Sequence, residues 1–448
     1  MTGRTRVLAA TILGSSLAFI DGSVVNVALP AIQGSLVAGT AAMQWVVDAY
    51  LLPLGALVLL GGAMGDRFGR VRVFLAGVVL FTAASLACGL APVAAWLVLG
   101  RAVQGVGAAL LVPGSLAIIG AVIPAGERGA AIGTWSGAAA LTTAFGPLLG
   151  GWLVDAVSWR AIFLINPPIA AAVIWLARGI PDSRGPAAAG PLDWPGAVLA
   201  AAGLGALTYG FIEAPGRGAD VHVLAFLAGG AALLAAFVAM EARRPEPMVP
   251  LSVFRSARFS GANVLTLLLY FALTGVLFQL PFLLIGTHGY SASAAGAALL
   301  PVSLLLGGLS RSAGRLAERV GPRLPLVSGP LLAAAGFLLL GIRAGDPRYW
   351  TGVLPGMLAL AGGMTLAVAP LTAAVMAAVP DGQAGVASGI NNAVARVAGL
   401  LAVSVLGILA ADAGDAVAGF RHVAYASAAC AAAAAVTAAG TIGPHLPA

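Results

Sequence analysis

Apolar residues fill the chain in fourteen stretches, and polar residues are confined to short gaps between them. The stretches run at about 7–30, 42–62, 71–92, 94–117, 129–154, 160–178, 194–213, 221–241, 259–285, 291–312, 323–342, 350–378, 385–411 and 420–441. A helix that crosses a bilayer needs roughly 20 apolar residues, and most of these stretches supply that. Glycine and proline are frequent inside them, which membrane helices tolerate. The longest gaps, about 179–193 and 242–258, are too short for a soluble domain. The pattern predicts an all-α integral membrane protein with 14 transmembrane helices.

The polar gaps reveal a duplication. Gly62-Ala63-Met64-Gly65-Asp66-Arg67-Phe68-Gly69-Arg70-Val71-Arg72, after the second stretch, packs one acid and three arginines into eleven residues. Gly314-Arg315-Leu316-Ala317-Glu318-Arg319-Val320-Gly321-Pro322-Arg323 is a weaker copy, offset by 252 residues, with Glu318, Arg319 and Gly321 standing for Asp66, Arg67 and Gly69. A second echo pairs Gly129, Ala131 and Gly133 with Gly385, Ala387 and Gly389 at an offset of 256. Helix 2 maps to 10 and helix 5 to 13, a shift of eight. Two six-helix halves follow, at 1–180 and 251–448, with two inserted helices within 181–250. Paired halves are how many secondary transporters are built, with the binding site at the repeat interface.

Composition agrees with a bilayer solvent: 60% of residues are hydrophobic and 9% charged, where soluble chains carry about 25% charged residues. All 23 basic residues are arginines. Without lysine there is no P-loop and no Schiff base, so the chain supplies no ATPase of its own, and energy must come from an ion gradient or a partner. With the N-terminus inside, 16 arginines fall on the inner side and 5 on the outer, with Arg101 and Arg396 inside helices. This bias places both termini in the cytoplasm. It also gives the net charge of +7 a topological reading rather than a nucleic-acid one. Arg4 and Arg6 precede an apolar run, but Asp21 interrupts it and no small-residue cleavage site follows, which argues against a signal peptide. Cys88 and Cys430 lie in apolar runs, and His222, His288, His422 and His445 do not cluster. No metal, cofactor or catalytic residue is expected, because no nucleophile–base pair stands at one depth.

Three charges inside the apolar stretches point to chemistry: Asp21, Asp48 and Arg101. At about 1.5 Å of rise per residue, Asp48 and Arg101 lie roughly 10 Å below the outer surface and Asp21 about 15 Å below it. Such charges face a cavity or a partner. An arginine beside a carboxylate lowers its proton affinity and desolvation raises it, so a conformational change that alters either can load and release a proton. The other reading is a static buried pair that fixes helix packing. Arg101, Gln104 and Gly105 share one helix face, as do Ser388, Asn392 and Arg396. These polar faces, with Asn26, Tyr50 and Gln279, are the candidate substrate cavity. Gly133, Gly137, Gly146, Gly150 and Gly151 mark helix 5 for close packing, and Pro147 bends it.

Four signatures make the chain resemble the major facilitator superfamily, and within it the fourteen-helix drug–proton antiporter family. They are the Gly62–Arg72 motif, departing at Val71 where a basic residue is usual; Phe19-Ile20-Asp21-Gly22-Ser23-Val24-Val25-Asn26-Val27-Ala28-Leu29-Pro30 in helix 1; Arg101-Ala102-Val103-Gln104-Gly105-Val106-Gly107 in helix 4; and Gly137 followed by Gly146-Pro147-Leu148-Leu149-Gly150-Gly151 in helix 5. The resemblance covers essentially the whole chain. It implies a cytoplasmic latch at Gly62, Asp66, Arg67, Gly69 and Arg70, with Glu318, Arg319 and Gly321 in the second copy. It implies a flexible seal at helix 5 and a cavity lined by helices 1, 2 and 4. The implied function is proton-coupled export of small lipophilic or cationic compounds, drugs or a self-made metabolite, by alternating access across the cell membrane. The implied partners are the lipid bilayer, protons and a small-molecule substrate, with no ATP and no nucleic acid. A monomer suffices, and the oligomeric state stays open. The nearer alternative is a proton-coupled importer of the same superfamily, which the helix 5 match argues against. A membrane enzyme or a scaffold stands further off.

Overall fold

A computed structural model describes residues 3–185, 192–245, 247–380, 384–411 and 413–443. Within them the chain is mostly helical, and no strand is present. The elements are α1 (Gly3–Ser35), α2 (Thr40–Phe68), α3 (Arg70–Gly89), α4 (Ala94–Val122), α5 (Ala125–Ala156), α6 (Ala161–Leu164), α7 (Asn166–Ala177), α8 (Trp194–Arg217), α9 (Val221–Glu241), α10 (Ala257–Pro281), α11 (Ala292–Ala298), α12 (Leu300–Val320), α13 (Arg323–Ile342), α14 (Leu354–Ala377), α15 (Ala384–Ala411) and α16 (Ala416–Thr441). Among the described residues 13 helices are long and apolar enough to cross a membrane, and Ala161–Ala177 is a shorter apolar helix in the place of the sixth stretch. The protein is a multi-pass membrane protein.

Helices overrun the apolar stretches. Hydropathy marks the length that lipid requires, while α1 runs on through Arg4, Thr5 and Arg6 because nothing there stops it. The breaks have local causes. Pro167 and Pro168 begin α7 and lack N–H groups, so the carbonyls of Phe163 and Leu164 lose their helical partners and the sixth span parts at Ile165. Pro301 does the same at the α11–α12 break around Leu299.

The helices gather into two compact units, Met1–Leu207 with Ala228–Met248, and Thr208–Leu227 with Val249–Ala448. In the first, α4 packs on α2 and α3, α1 on α5 and α7, and α3 on α7. In the second, α14 packs on α12 and α13, α10 on α15 and α16, and α13 on α16. These are the same neighbour relations shifted by eight spans. Leu17, Phe74, Val78, Phe81, Leu111 and Ile118 form the centre of the first unit. The inserted α8 and α9 meet through Gly203 and Gly230, where a Cβ on Gly230 would come within 2.8 Å of the Gly203 carbonyl oxygen. Most of α9 is exposed, as a helix that faces lipid would be.

Candidate functional site

The first unit buries a charged cluster between α1, α2 and α4. Asp21 and Arg101 are 0% and 1% exposed. Arg101 Nη1 pairs with Asp21 Oδ2. Gln104, one turn on from Arg101, bridges both: its Nε2 donates to Asp21 Oδ1 at 2.8 Å, and its Oε1 accepts from Arg101 Nη1 at 2.7 Å. Arg101 Nε donates to the Val46 carbonyl at 3.0 Å. The guanidinium lies over the Tyr50 ring, 4.3 Å from its centroid, and Tyr50 is held by a 3.2 Å hydrogen bond from its hydroxyl to the Ala18 carbonyl. Gly105 lets α2 and α4 come this close, since a Cβ there would run into the Tyr50 backbone. A buried charge pair is expensive unless its remaining hydrogen-bonding capacity is met. Here Gln104 and Val46 meet much of it.

Phe163, at the break in the sixth span, stands on another side of Arg101, its ring centroid 5.9 Å from Cζ. The carbonyl that Pro167 leaves without a helical donor accepts from Ser85 Oγ at 2.8 Å, and Asn166 Nδ2 donates to the same Ser85 oxygen at 2.8 Å. All three residues are buried. Sequence reasoning missed them. The Pro167-Pro168 pair was the available signal, because an unpaired buried carbonyl has to find a donor.

Asp48 differs from Asp21. It is 0% exposed and neither carboxyl oxygen has a hydrogen-bond partner. It lies two residues from both Val46 and Tyr50, so it points away from the face of α2 that meets Arg101. Asn26 is half-buried on α1.

At the opposite end of this unit Asp66 pairs with Arg70 at 2.8 Å, and Arg70 Nη1 also reaches the Ala117 carbonyl of α4 at 3.4 Å. Arg67 lies over the Phe68 ring at 5.8 Å. Gly62 lies within 3.7 Å of Pro113 measured from an added Cβ. In the second unit Glu318 and Arg319 close α12 and Gly321 ends it with φ +82°. Pro322 stands where the first copy has Arg70, so this copy lacks the acid–arginine pair one turn apart.

In α5 the expected close packing divides by position. A Cβ on Gly150 would meet Val24 of α1, 3.0 Å from its carbonyl oxygen, and one on Gly146 would meet Ser23. Gly133 and Gly137 have nothing within 4 Å. Pro147 lies inside the helix and Gly151 is buried. In the second unit Ser388 and Asn392 are exposed, while Arg396 and Gln279 are half-buried. The polar contact of α15 with α10 comes from half-buried Asn391, whose Nδ2 donates to Asn263 Oδ1 at 3.1 Å and to Thr266 Oγ1 at 2.7 Å. Among the described residues no three His, Cys, Asp or Glu side chains could hold a metal ion. His445 and the terminal Ala448 lie outside the described residues.

Residues 11–403 match the family model described as Major Facilitator Superfamily. The chain is 37% identical over 407 residues to the multidrug resistance protein Stp of Mycobacterium tuberculosis, covering 90% of this chain and 75% of that one. It is 36% identical over 408 residues to the tetracenomycin C resistance and export protein of Streptomyces glaucescens, covering 90% and 76%. It is 34% identical over 410 residues to the methylenomycin A resistance protein of Bacillus subtilis, covering 90% and 87%. Among solved structures, a D-xylose–proton symporter aligns with a TM-score of 0.72 at 17% identity over 98% of both chains. A bacterial homologue of the lysosomal transporter Spinster aligns with 0.71 at 18% identity, over 99% of this chain and 98% of that one. At these identities the structures speak for the fold alone.

Proposed function

The chain belongs to the major facilitator superfamily, and we propose that it is a proton-coupled antiporter that exports small lipophilic or cationic compounds across the cell membrane by alternating access. It is a membrane transporter of small molecules. Relatives named for multidrug, tetracenomycin C and methylenomycin A resistance support a cargo of drugs or antibiotics. The 16-to-5 arginine bias supports cytoplasmic termini.

The observation that carries the proton claim is the buried Asp21–Arg101 pair bridged by Gln104. With Asp21 ionised the cluster is neutral in sum, and each carboxylate oxygen accepts a hydrogen bond. With Asp21 protonated Arg101 loses its counter-charge but keeps the Gln104 and Val46 oxygens and the Tyr50 ring. The protonated state is the costlier one, since Arg101 is then a buried charge without its counter-ion, but these contacts keep the cation in place, so a conformational change that alters them can load and release the proton. One proton falling through 100 mV yields about 2.3 kcal/mol, and about 1.4 kcal/mol corresponds to a tenfold gradient of a neutral compound. The motif at Gly62–Arg70 and its copy at Glu318–Gly321 act in this reading as the cytoplasmic latch, and α5 as the seal.

The test is efflux of dyes and drugs in everted vesicles, with the pH gradient intact or collapsed. Accumulation should require the gradient and should be lost in Asp21→Asn. Gradient-independent accumulation would end the antiport reading.

A further inference from the structure

A second stretch of chain, Asp182–Gly185, borders the turn between α2 and α3. It follows α7 and leads toward α8. The two run side by side: the Arg70 N–H donates to the Ser183 carbonyl at 2.9 Å, and the Gly185 N–H to the Asp66 carbonyl at 2.9 Å. Asp182 reaches the start of α3. Its Oδ1 accepts the Val71 N–H at 2.9 Å, and its Oδ2 lies 3.2 Å from Arg72 Nε.

The first N–H groups of a helix have no partner inside it and are normally capped by the residue just before the helix. Here that residue is Gly69, with no side chain to cap with and φ +111°. Nor is there room for one, because a Cβ on Gly69 would lie 2.8 Å from Asp182 Cγ. The cap is therefore supplied from 111 residues away. A carboxylate at a helix N-terminus also meets the positive end of the helix dipole. The pair with Arg72 is exposed and screened, so the Val71 hydrogen bond carries the effect. Gly185 is close-fitted too: a Cβ there would lie 2.7 Å from Asp66 Cβ. Further along, Asp193 accepts the Gly196 N–H at 2.8 Å and pairs with Arg244 at 2.5 Å, joining the start of α8 to the residues after α9.

We propose that Asp182 is a positioning residue of the latch: it caps α3 from outside the motif and fixes the α2–α3 turn, and with it Asp66 and Arg70, to the linker that enters the inserted helices. The proposal rests on the latch reading of Asp66 given above. It explains how a motif with glycine at the capping position keeps one turn geometry.

Hydrogen–deuterium exchange of the full-length protein in lipid nanodiscs tests this, beside efflux. In Asp182→Ala, amides in the 66–73 region should exchange about tenfold faster, as loss of one charge-assisted hydrogen bond to a backbone N–H implies, while the rest of the first unit keeps its protection. Efflux should fall with it, and Asp182→Glu should recover part of both. Unchanged exchange at 66–73, or acceleration spread evenly over α1–α7, overturns the proposal. Asp66→Asn separates it from the latch reading. If that variant transports normally while Asp182→Ala loosens the turn, the latch fails and the cap stands.

Discussion

Gln104 holds the oxygen of Asp21 that Arg101 leaves free: its Nε2 donates to Oδ1 at 2.8 Å, while Arg101 takes Oδ2. The same amide accepts from Arg101, so it keeps the cation in place when the carboxyl is neutral. Gln104→Leu removes both bonds and leaves two buried polar groups short of a partner, at about 1–3 kcal/mol each. The rate of pH-driven efflux should fall about tenfold or more at equal expression, and Gln104→Asn should restore little because its shorter arm cannot span the pair. Wild-type transport by Gln104→Leu would remove the amide from the mechanism.

The two motif copies should not be equivalent. Asp66 pairs with Arg70, and Arg70 reaches on to α4. The second copy has Pro322 at the matching position, and its Arg323 donates instead to the Ala439 carbonyl at 2.6 Å. Asp66→Asn should therefore reduce transport more than Glu318→Gln, compared at matched membrane levels. Equal or reversed losses would erase the distinction.

The spans were legible because lipid leaves an apolar stretch few choices, and the repeat was legible because both copies keep their polar gaps. The Asp21–Arg101 pair followed from the expense of each charge in lipid. What stayed hidden depended on contacts distant in sequence. Ser85 meets Phe163 across 78 residues, and the Asp182 carboxylate looks in the sequence like any acid in a polar gap. On α15 a four-residue period singled out Ser388, Asn392 and Arg396, yet the hydrogen bonds to α10 are made by Asn391, one position from Asn392. Periodicity identifies a polar face but not what the neighbouring helix offers to it.

Helix packing gives a contrast within α5. Gly150 lies against Val24 of α1, where a larger residue would press on backbone. Gly137 has open space around it. Gly150→Leu should lower thermal stability in detergent and abolish transport, since overpacking a close helix contact costs about 1–3 kcal/mol or more. Gly137→Ala should leave the melting temperature unchanged. Equal melting of the two variants would contradict this division of the helix.

Outside the spans, Asp346 organises the turn before α14. It accepts from Thr351 Oγ1 at 2.6 Å and from the Arg348 N–H at 3.1 Å. These bonds, Thr351's first, hold its carboxyl below the ordinary value of 3.8. A carboxylate whose folded pKa is depressed adds stability above its unfolded value and loses it as pH falls through the folded one. Protection of the Arg348 amide, corrected for intrinsic exchange, should persist down to about the ordinary carboxylate range and then decline. Thr351→Val removes the largest cause and raises the folded value toward the ordinary one, so the decline should be smaller and should end at higher pH. A decline of unchanged size and extent in Thr351→Val would show that the hydroxyl does not hold the turn.

Asp21 and Asp48 are both buried, yet their surroundings predict opposite responses to the same substitution. Asp21 has a counter-ion and an amide on its oxygens, so Asp21→Asn leaves Arg101 as an uncompensated buried charge. Breaking a buried pair from one side costs about 3–5 kcal/mol. Asp48 has no partner on either oxygen, so Asp48→Asn breaks no pair and puts a group of similar shape in its place. Asp21→Asn should therefore melt well below the wild type, whereas Asp48→Asn should melt at or near it. In vesicles Asp21→Asn should lose uphill, pH-driven efflux and retain some downhill exchange, because it imitates the protonated carboxyl permanently. Arg101→Ala should resemble it, and the double variant should be no worse than either, since the two side chains act as one unit. If Asp48→Asn alone loses pH-driven efflux, the proton site moves to α2. If both variants keep it, proton coupling does not run through these carboxylates.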